Sequence, residues 1–229
     1  MSRLSRKFKV MGLALMVVSA FSAFAAAAQA APQFTVGGSK VTTTVPLRTT
    51  TVPGDFVLRV PSLPLEVTCT ELHIESGAIN SPTDVSATSL VFTNCVVSSN
   101  PTKCQVTNVG GTVGTIVTGA LTGTLATVGT GTDLLLSPAA TNFVELEVTA
   151  KAGQSCPVSG KYKIAGTAAV KMTTGTNATT VSGESSEAIQ KAYDVTAGAV
   201  KLTVGAKEAF LSLSTSFALE SDGNWGVDA

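Results

Sequence analysis

The sequence predicts an all-β protein: an antiparallel β-sandwich or barrel-like fold, disulfide-stapled and preceded by a signal peptide. Three observations carry that prediction. Apolar residues recur at every second position through most of residues 55–229, Gly, Ser and Asn break the pattern at short intervals, and the four cysteines form an even set downstream of an export signal.

The chain opens "MSRLSRKFKVMGLALMVVSAFSAFAAAAQAAPQF". Arg3, Arg6, Lys7 and Lys9 form a cationic end, and no acid precedes Asp55. An apolar run from Val10 to about Ala27 follows, then Ala28-Gln29-Ala30, the small-x-small pattern that a signal peptidase accepts. Residues 1–30 therefore read as a signal peptide cleaved before Ala31. The competing reading, a retained anchor, lacks a charged stop-transfer flank. No cysteine at the cleavage point invites a lipid, and no arginine pair marks twin-arginine export. The product is expected outside the cytoplasm, Sec-exported, with no membrane span after cleavage.

Losing those four basic residues takes 15 basic side chains to 11, against 15 acidic ones, for a net charge near −4. That balance offers no footprint for nucleic acid and no basic cluster for an anionic membrane.

Residues 31–54, "APQFTVGGSKVTTTVPLRTTTVPGD" with Asp55, are Thr/Pro-rich and read as an N-terminal arm, either a leader strand with a linker or an extended segment. Residues 55–229 form the β-domain, long enough for one large unit or two β-lobes in contact. Phe56, Leu58 and Val60 share a face. So do Val144, Leu146 and Val148, with Glu145 and Glu147 opposite. Tyr162, Ile164, Ala168, Val170 and Met172 oppose Lys161, Lys163 and Lys171, and Leu211, Leu213, Phe217 and Leu219 oppose Ser212, Ser214 and Ser216. Each is a strand with one buried and one wet face. In "PLEVTCTELHIES" the parity slips from Leu65, Val67 and Cys69 to Leu72 and Ile74, which predicts a β-bulge near Thr70. The Gly/Thr-rich stretch 109–133 reads as one or two strands bent at Gly119 or Gly123, then a turn at "GTGTD". Only "SGESSEAIQKAYDV" holds a helix, of two turns at most.

Cys95 and Cys104 flank "VVSSNPTK", whose centre is turn chemistry between strand-like segments. Facing antiparallel positions lie close enough for a disulfide. The expected pairs are Cys95–Cys104 and, by exclusion, Cys69–Cys156. Chain entropy gives the short loop somewhat under about 3 kcal/mol and the long one about 4 to 5 kcal/mol. The metal alternative is Cys69 with His73, the only histidine. On a strand these two stand roughly 13 Å apart, whereas zinc ligands must converge within about 2.0 to 2.3 Å of one ion. No C-x-x-C redox motif is present. We therefore expect no metal and no other cofactor.

Catalytic types are scarce. His73 lies between Glu71 and Glu75 on the expected wet face; a base flanked by carboxylates is the functional reading, an exposed strand histidine the plainer one. There is no Gly-x-Ser-x-Gly elbow, and "NVGGTVGT" lacks the lysine and helix of a phosphate loop. Asp222, Asn224 and Asp228 fall short of a calcium loop. Trp225 suits a packing anchor for a terminal strand better than a sugar platform. Asn177-Ala178-Thr179 is a glycosylation sequon only in a host that adds such glycans.

The order "VTCTELHIESG", "LVFTNCVV", "KCQVTNVGGTVGTIVTGALTGTL", "FVELEVTAKAGQSCPVSGKYKIAGTA" and "VKLTVGAKEAFLSLSTSFAL", covering roughly 65–219, resembles uncharacterised secreted β-rich proteins of Gram-positive actinobacteria. That resemblance implies a bacterial exported β-protein and carries over no chemistry. The expected function is a secreted or cell-surface non-enzymatic β-domain, binding or structural, with a cell-surface or protein partner left open. The alternative is a secreted hydrolase using a carboxylate pair about 5 to 9.5 Å apart.

N-terminal sequencing of the exported protein should begin at Ala31. A start at Met1 would show that the segment is retained.

Overall fold

The computed structural model describes residues 31–50, 56–175, 177–193 and 201–228. The predicted signal peptide and the arm boundary at 54/55 lie outside them. In chain order the strands are β1 (Gln33–Val36), β2 (Ser39–Lys40), β3 (Val45–Thr50), β4 (Phe56–Val60), β5 (Leu65–Cys69), β6 (Glu71–Glu75) and β7 (Gly77–Ile79). There follow β8 (Asp84–Ala87), β9 (Ser89–Thr93), β10 (Val96–Val97), β11 (Cys104–Asn108), β12 (Ile116–Val117), β13 (Leu121–Val128) and β14 (Gly131–Pro138). The last are β15 (Asn142–Ala150), β16 (Gly160–Gly166), β17 (Ala168–Met172), β18 (Thr180–Ser185), β19 (Leu202–Val204), β20 (Lys207–Leu219) and β21 (Trp225–Asp228), with the helix α1 (Glu187–Tyr193) between β18 and β19. The fold is all-β, as the alternation predicts.

Eight strands close into an antiparallel barrel. From β20 the ladder runs through β18, β17, β14, β13, β8, β7 and β3, and β3 pairs back onto β20. Residues 31–50 are thus no separate arm. β3 is a barrel stave, and β1 pairs with the terminal strand β21. The Thr-rich composition that suggested a linker is that of a strand whose Leu47 turns inward while its threonines hydrogen-bond neighbouring strands.

A second ring grows from the other half of β20. β20 pairs with β4 and β19; one side runs on through β5 to β10, the other through β16 and β15 to β11. The gap between β10 and β11 is closed by Gly114, whose carbonyl accepts from Cys95 N–H and whose own N–H donates to Val106.

Between the rings lies the ribbon β5-β6 against β9-β10. Thr68 faces Val96 and Glu71 faces Thr93, the same offset on both sides of Thr70, so no extra residue intervenes. The predicted bulge is absent. Both strands switch faces together, with Asn94 in the left-handed region (φ 54°) opposite the break. Above it Val67, Cys69 and Val97 point into the second ring; below it Leu72, Ile74 and Leu90 plug one end of the barrel.

The same offset corrects the disulfides. Extended by one residue it sets Cys69 opposite Cys95, and these two are bonded, with Cα atoms 4.0 Å apart. Cys104 bonds Cys156 instead, at 5.1 Å. The expected pairs Cys95–Cys104 and Cys69–Cys156 fail because β10 and β11 are not a hairpin. β11 pairs with β15, in register Cys104 to Ala150, which brings the loop after β15 and its Cys156 over Cys104.

The predicted break at Gly119 separates β12 from β13, whereas β13 runs unbroken through Gly123. The predicted strand 161–172 divides at Gly166, where the chain leaves the second ring for the barrel. Gly166 has φ 100°, and a Cβ there would stand 1.9 Å from the Lys201 carbonyl oxygen. Backbone cannot yield as a side-chain tip can. Gly166→Ala should therefore cost several kcal/mol, on the order of 3 or more, and lower the denaturation midpoint sharply. A midpoint unchanged in urea would contradict this crossing geometry.

Candidate functional site

The barrel interior is built by alternation. Leu134 and Leu136 of β14, Val170 and Met172 of β17, and Leu213, Thr215 and Phe217 of β20 all face inward. Gly123 and Gly183 stand where a side chain has no room: a Cβ on Gly123 would meet Val85 Cγ2 at 2.5 Å, and one on Gly183 would meet Phe217 at 2.9 Å. Between these side chains remains an apolar cavity of about 50 Å³. Leu72, Ile74 and Leu90 close it at one end, and Phe34 and Trp225, with ring centroids 6.4 Å apart, line it at the other. The second ring is filled more tightly, leaving about 30 Å³ among Phe56, Leu58, Phe92, Phe143 and Leu211.

Two buried side-chain polar atoms near the barrel have no hydrogen-bond partner, and of their residues only Trp225 lines the cavity. The Trp225 indole N–H has no partner although the residue is 1% exposed, and neither has the Thr132 hydroxyl, also 1% exposed. Thr132 shares the inward face of Leu134 and Leu136. It lies one step beyond the Asp133–Lys171 pair, level with Met172. Burying such groups unpaired is costly, so their placement needs a reason.

A second polar cluster lies beneath α1. Ser186 caps the helix by accepting from Ile189 N–H, Glu187 and Lys191 pair one turn apart at 2.6 Å, and Gln190 and Tyr193 form the buried face. Gln190 Nε2 donates to the Leu211 carbonyl at 2.8 Å, while its Oε1 has no partner. The Ser185 hydroxyl lies 2.7 Å from the Ala169 carbonyl and 2.8 Å from that of Leu211. Beside this group sits Asp133, 4% exposed. Burial pushes its carboxyl above the ordinary range, with the Lys171 charge pulling the other way. Burial, and then the Asp133 charge, raise the Tyr193 phenol. Sequence reasoning missed Asp133: it appeared only as the end of a turn, and nothing local announces that its carboxyl will be buried within reach of Tyr193, sixty residues later.

The residues singled out from sequence fall elsewhere. Glu71, His73 and Glu75 are exposed together on β6, with Glu71 accepting from Thr93. Cys69 faces inward and is oxidised, so it does not share a face with His73. Asp222 pairs with Arg48, and Asp228 lies in β21. Trp225 is the anchor of a terminal strand, as read. Glu145 and Glu147 face Lys163 and Lys161 across β15 and β16. Among the described residues, no three His, Cys, Asp or Glu side chains are grouped to hold a metal ion, and no helix is long and apolar enough to cross a membrane.

No family model, curated protein or solved structure matches the chain.

Asp133 makes stability depend on pH in a fixed sense. Its folded-state value is raised, so folding favours the protonated acid. That contribution is fully present below the ordinary carboxyl range, about pH 4, and is lost as pH rises through the folded value. Asp133→Asn should raise the thermal midpoint at pH 7, with the gain shrinking below about pH 4. A lower midpoint for the variant at pH 7 would show instead that the carboxylate is stabilised there.

Proposed function

We propose that the protein is an exported, non-enzymatic binding protein that takes a small apolar molecule into the eight-stranded barrel. The observation that carries this reading is the apolar interior cavity of about 50 Å³ inside a closed ring. Eight strands enclose a space that side chains just fill or that holds one small ligand. Voids lined by Leu, Ile and Phe stay dry, and a dry cavity of about 150 Å³ binds benzene. The space here is about one third of that, which limits the ligand to a few heavy atoms unless the flexible Met172 and Leu136 turn aside. The export signal in the sequence and the two disulfides support a destination outside the cytoplasm.

Xenon under pressure is a suitable probe, a single apolar atom small enough for the space as it stands. It should raise the thermal midpoint saturably. At ten times its dissociation constant, mass action gives about 1.4 kcal/mol, or roughly 3–5 °C for a chain of this size. Ala87→Leu, which fills the same cavity from its wall, should remove the shift while the protein stays folded. No shift in the wild type, or the same shift in Ala87→Leu, would reject the barrel as the binding site.

A further inference from the structure

We infer that Asp222-Gly223, in the turn between β20 and β21, is a modification site, where the aspartate converts without an enzyme to isoaspartate through a cyclic imide. Asp222 is the only Asp or Asn in the chain that precedes a glycine. A glycine carries no side chain beside its own nitrogen, which leaves that nitrogen the least hindered to attack a neighbouring carboxyl carbon.

The structure leaves both reacting groups accessible. The Asp222 side chain is 74% exposed, and its partner Arg48 is 47% exposed. A surface pair of this kind is screened and holds its carboxylate weakly. The turn is tied on either side of the reacting step and not across it: Asp222 N–H donates to the Leu219 carbonyl at 3.1 Å, and Trp225 N–H to that of Ala178 at 2.9 Å. Gly223 lies outside the strands, and its N–H makes no hydrogen bond among the described residues. Asp222 also stands at φ 56°, a left-handed setting that a residue other than glycine holds at a cost. A main chain routed through the side chain no longer has to keep it.

The bonds balance with water as the only other reactant. Gly223 N loses its proton and attacks Asp222 Cγ; the N–Cγ bond forms, the Cγ–OH bond breaks and one water leaves. A water then opens the imide. Breaking N–Cγ restores aspartate. Breaking the bond from Gly223 N to the Asp222 main-chain carbonyl carbon gives isoaspartate, equal in mass to the parent, with Cβ now in the main chain. The link into β21 is thereby longer by one methylene, just ahead of Trp225 at the barrel cavity.

The test ages the oxidised chain at neutral pH, digests it with trypsin and separates the peptide 208–229 by chromatography. Isoaspartate is identified by its acceptance of a methyl group from S-adenosylmethionine through an isoaspartyl methyltransferase. The wild type should give a second, methyl-accepting form of this peptide that grows with time. Gly223→Ala should lose that form and keep the fold: Gly223 is not left-handed, and an added Cβ meets Ser221 Oγ at 3.5 Å and Leu219 Cδ1 at 3.6 Å, ordinary contact distances. Should that variant not fold, Asp222→Glu, which keeps a carboxylate for Arg48 but closes such a ring poorly, must lose the form instead. Aspartate alone at position 222 in the aged wild type, or an equal yield of isoaspartate in Gly223→Ala, would overturn the assignment.

Discussion

The structure depends on one strand. β20 runs for 13 residues and serves two rings. Its first half is held by β19 and β4, its second by β18 and β3. One face of the strand is continuous through the junction: Leu211 enters the second ring's core, while Leu213, Thr215 and Phe217 enter the barrel's. A register slip of one residue would turn all four outward and empty both cores together. α1 lies across the same junction. Gln190 donates to the Leu211 carbonyl, Lys191 sits 5.2 Å over the Phe210 ring, and Glu187 reaches Arg59 of β4 at 3.6 Å. The exposed ion pair contributes little; the buried Gln190 bond contributes more, because leaving it unmade would strand a donor and an acceptor.

Much of this fold was legible because alternation is local. The faces of β4, β15, β17 and β20 follow from residue parity alone, and the one short helix falls within "SGESSEAIQKAYDV", the segment the sequence sets apart for it. Pairing is not local. "VVSSNPTK" has the chemistry of a tight turn and does turn, with Cys104 N–H bonded to the Asn100 carbonyl. The strands on either side of it join opposite arms of the second ring. The signal that could have given the true partner was the parity slip. Two strands that both change face, at Thr70 and at Asn94, are the two sides of one bending ribbon, and that alignment sets Cys69 against Cys95.

The candidate site was legible in its walls and hidden in its polar atoms. Trp225 read correctly as an anchor. Nothing in "TGTDLLL" distinguishes Thr132, sealed at the end of a barrel, from the many surface threonines around it. Gly123 and Gly183 pose the same difficulty. A glycine in a strand signals a bend, a bulge or a close approach, and only the packed structure shows that here it is close approach to Val85 and Phe217. Asp133 is the extreme case, since the groups that feel its charge, Lys171 and Tyr193, lie far along the chain.

The two rings differ in how they are held, and that difference bears on function. Both disulfides lie in the second ring. Their spans of 26 and 52 residues correspond to about 3.5 and about 4 kcal/mol of denatured-state restriction. Among the described residues the barrel has no covalent link; it is held by its ladders and by side chains that leave a void. A void removes contacts from the atoms that line it, at a cost that grows with its volume. The barrel tolerates this because β20 is fixed from outside, in a ring whose own core is nearly full and whose arms are stapled. The stapled ring thus supplies the frame, and the barrel, closed by the same strand, is where side chains have room to rearrange around a guest.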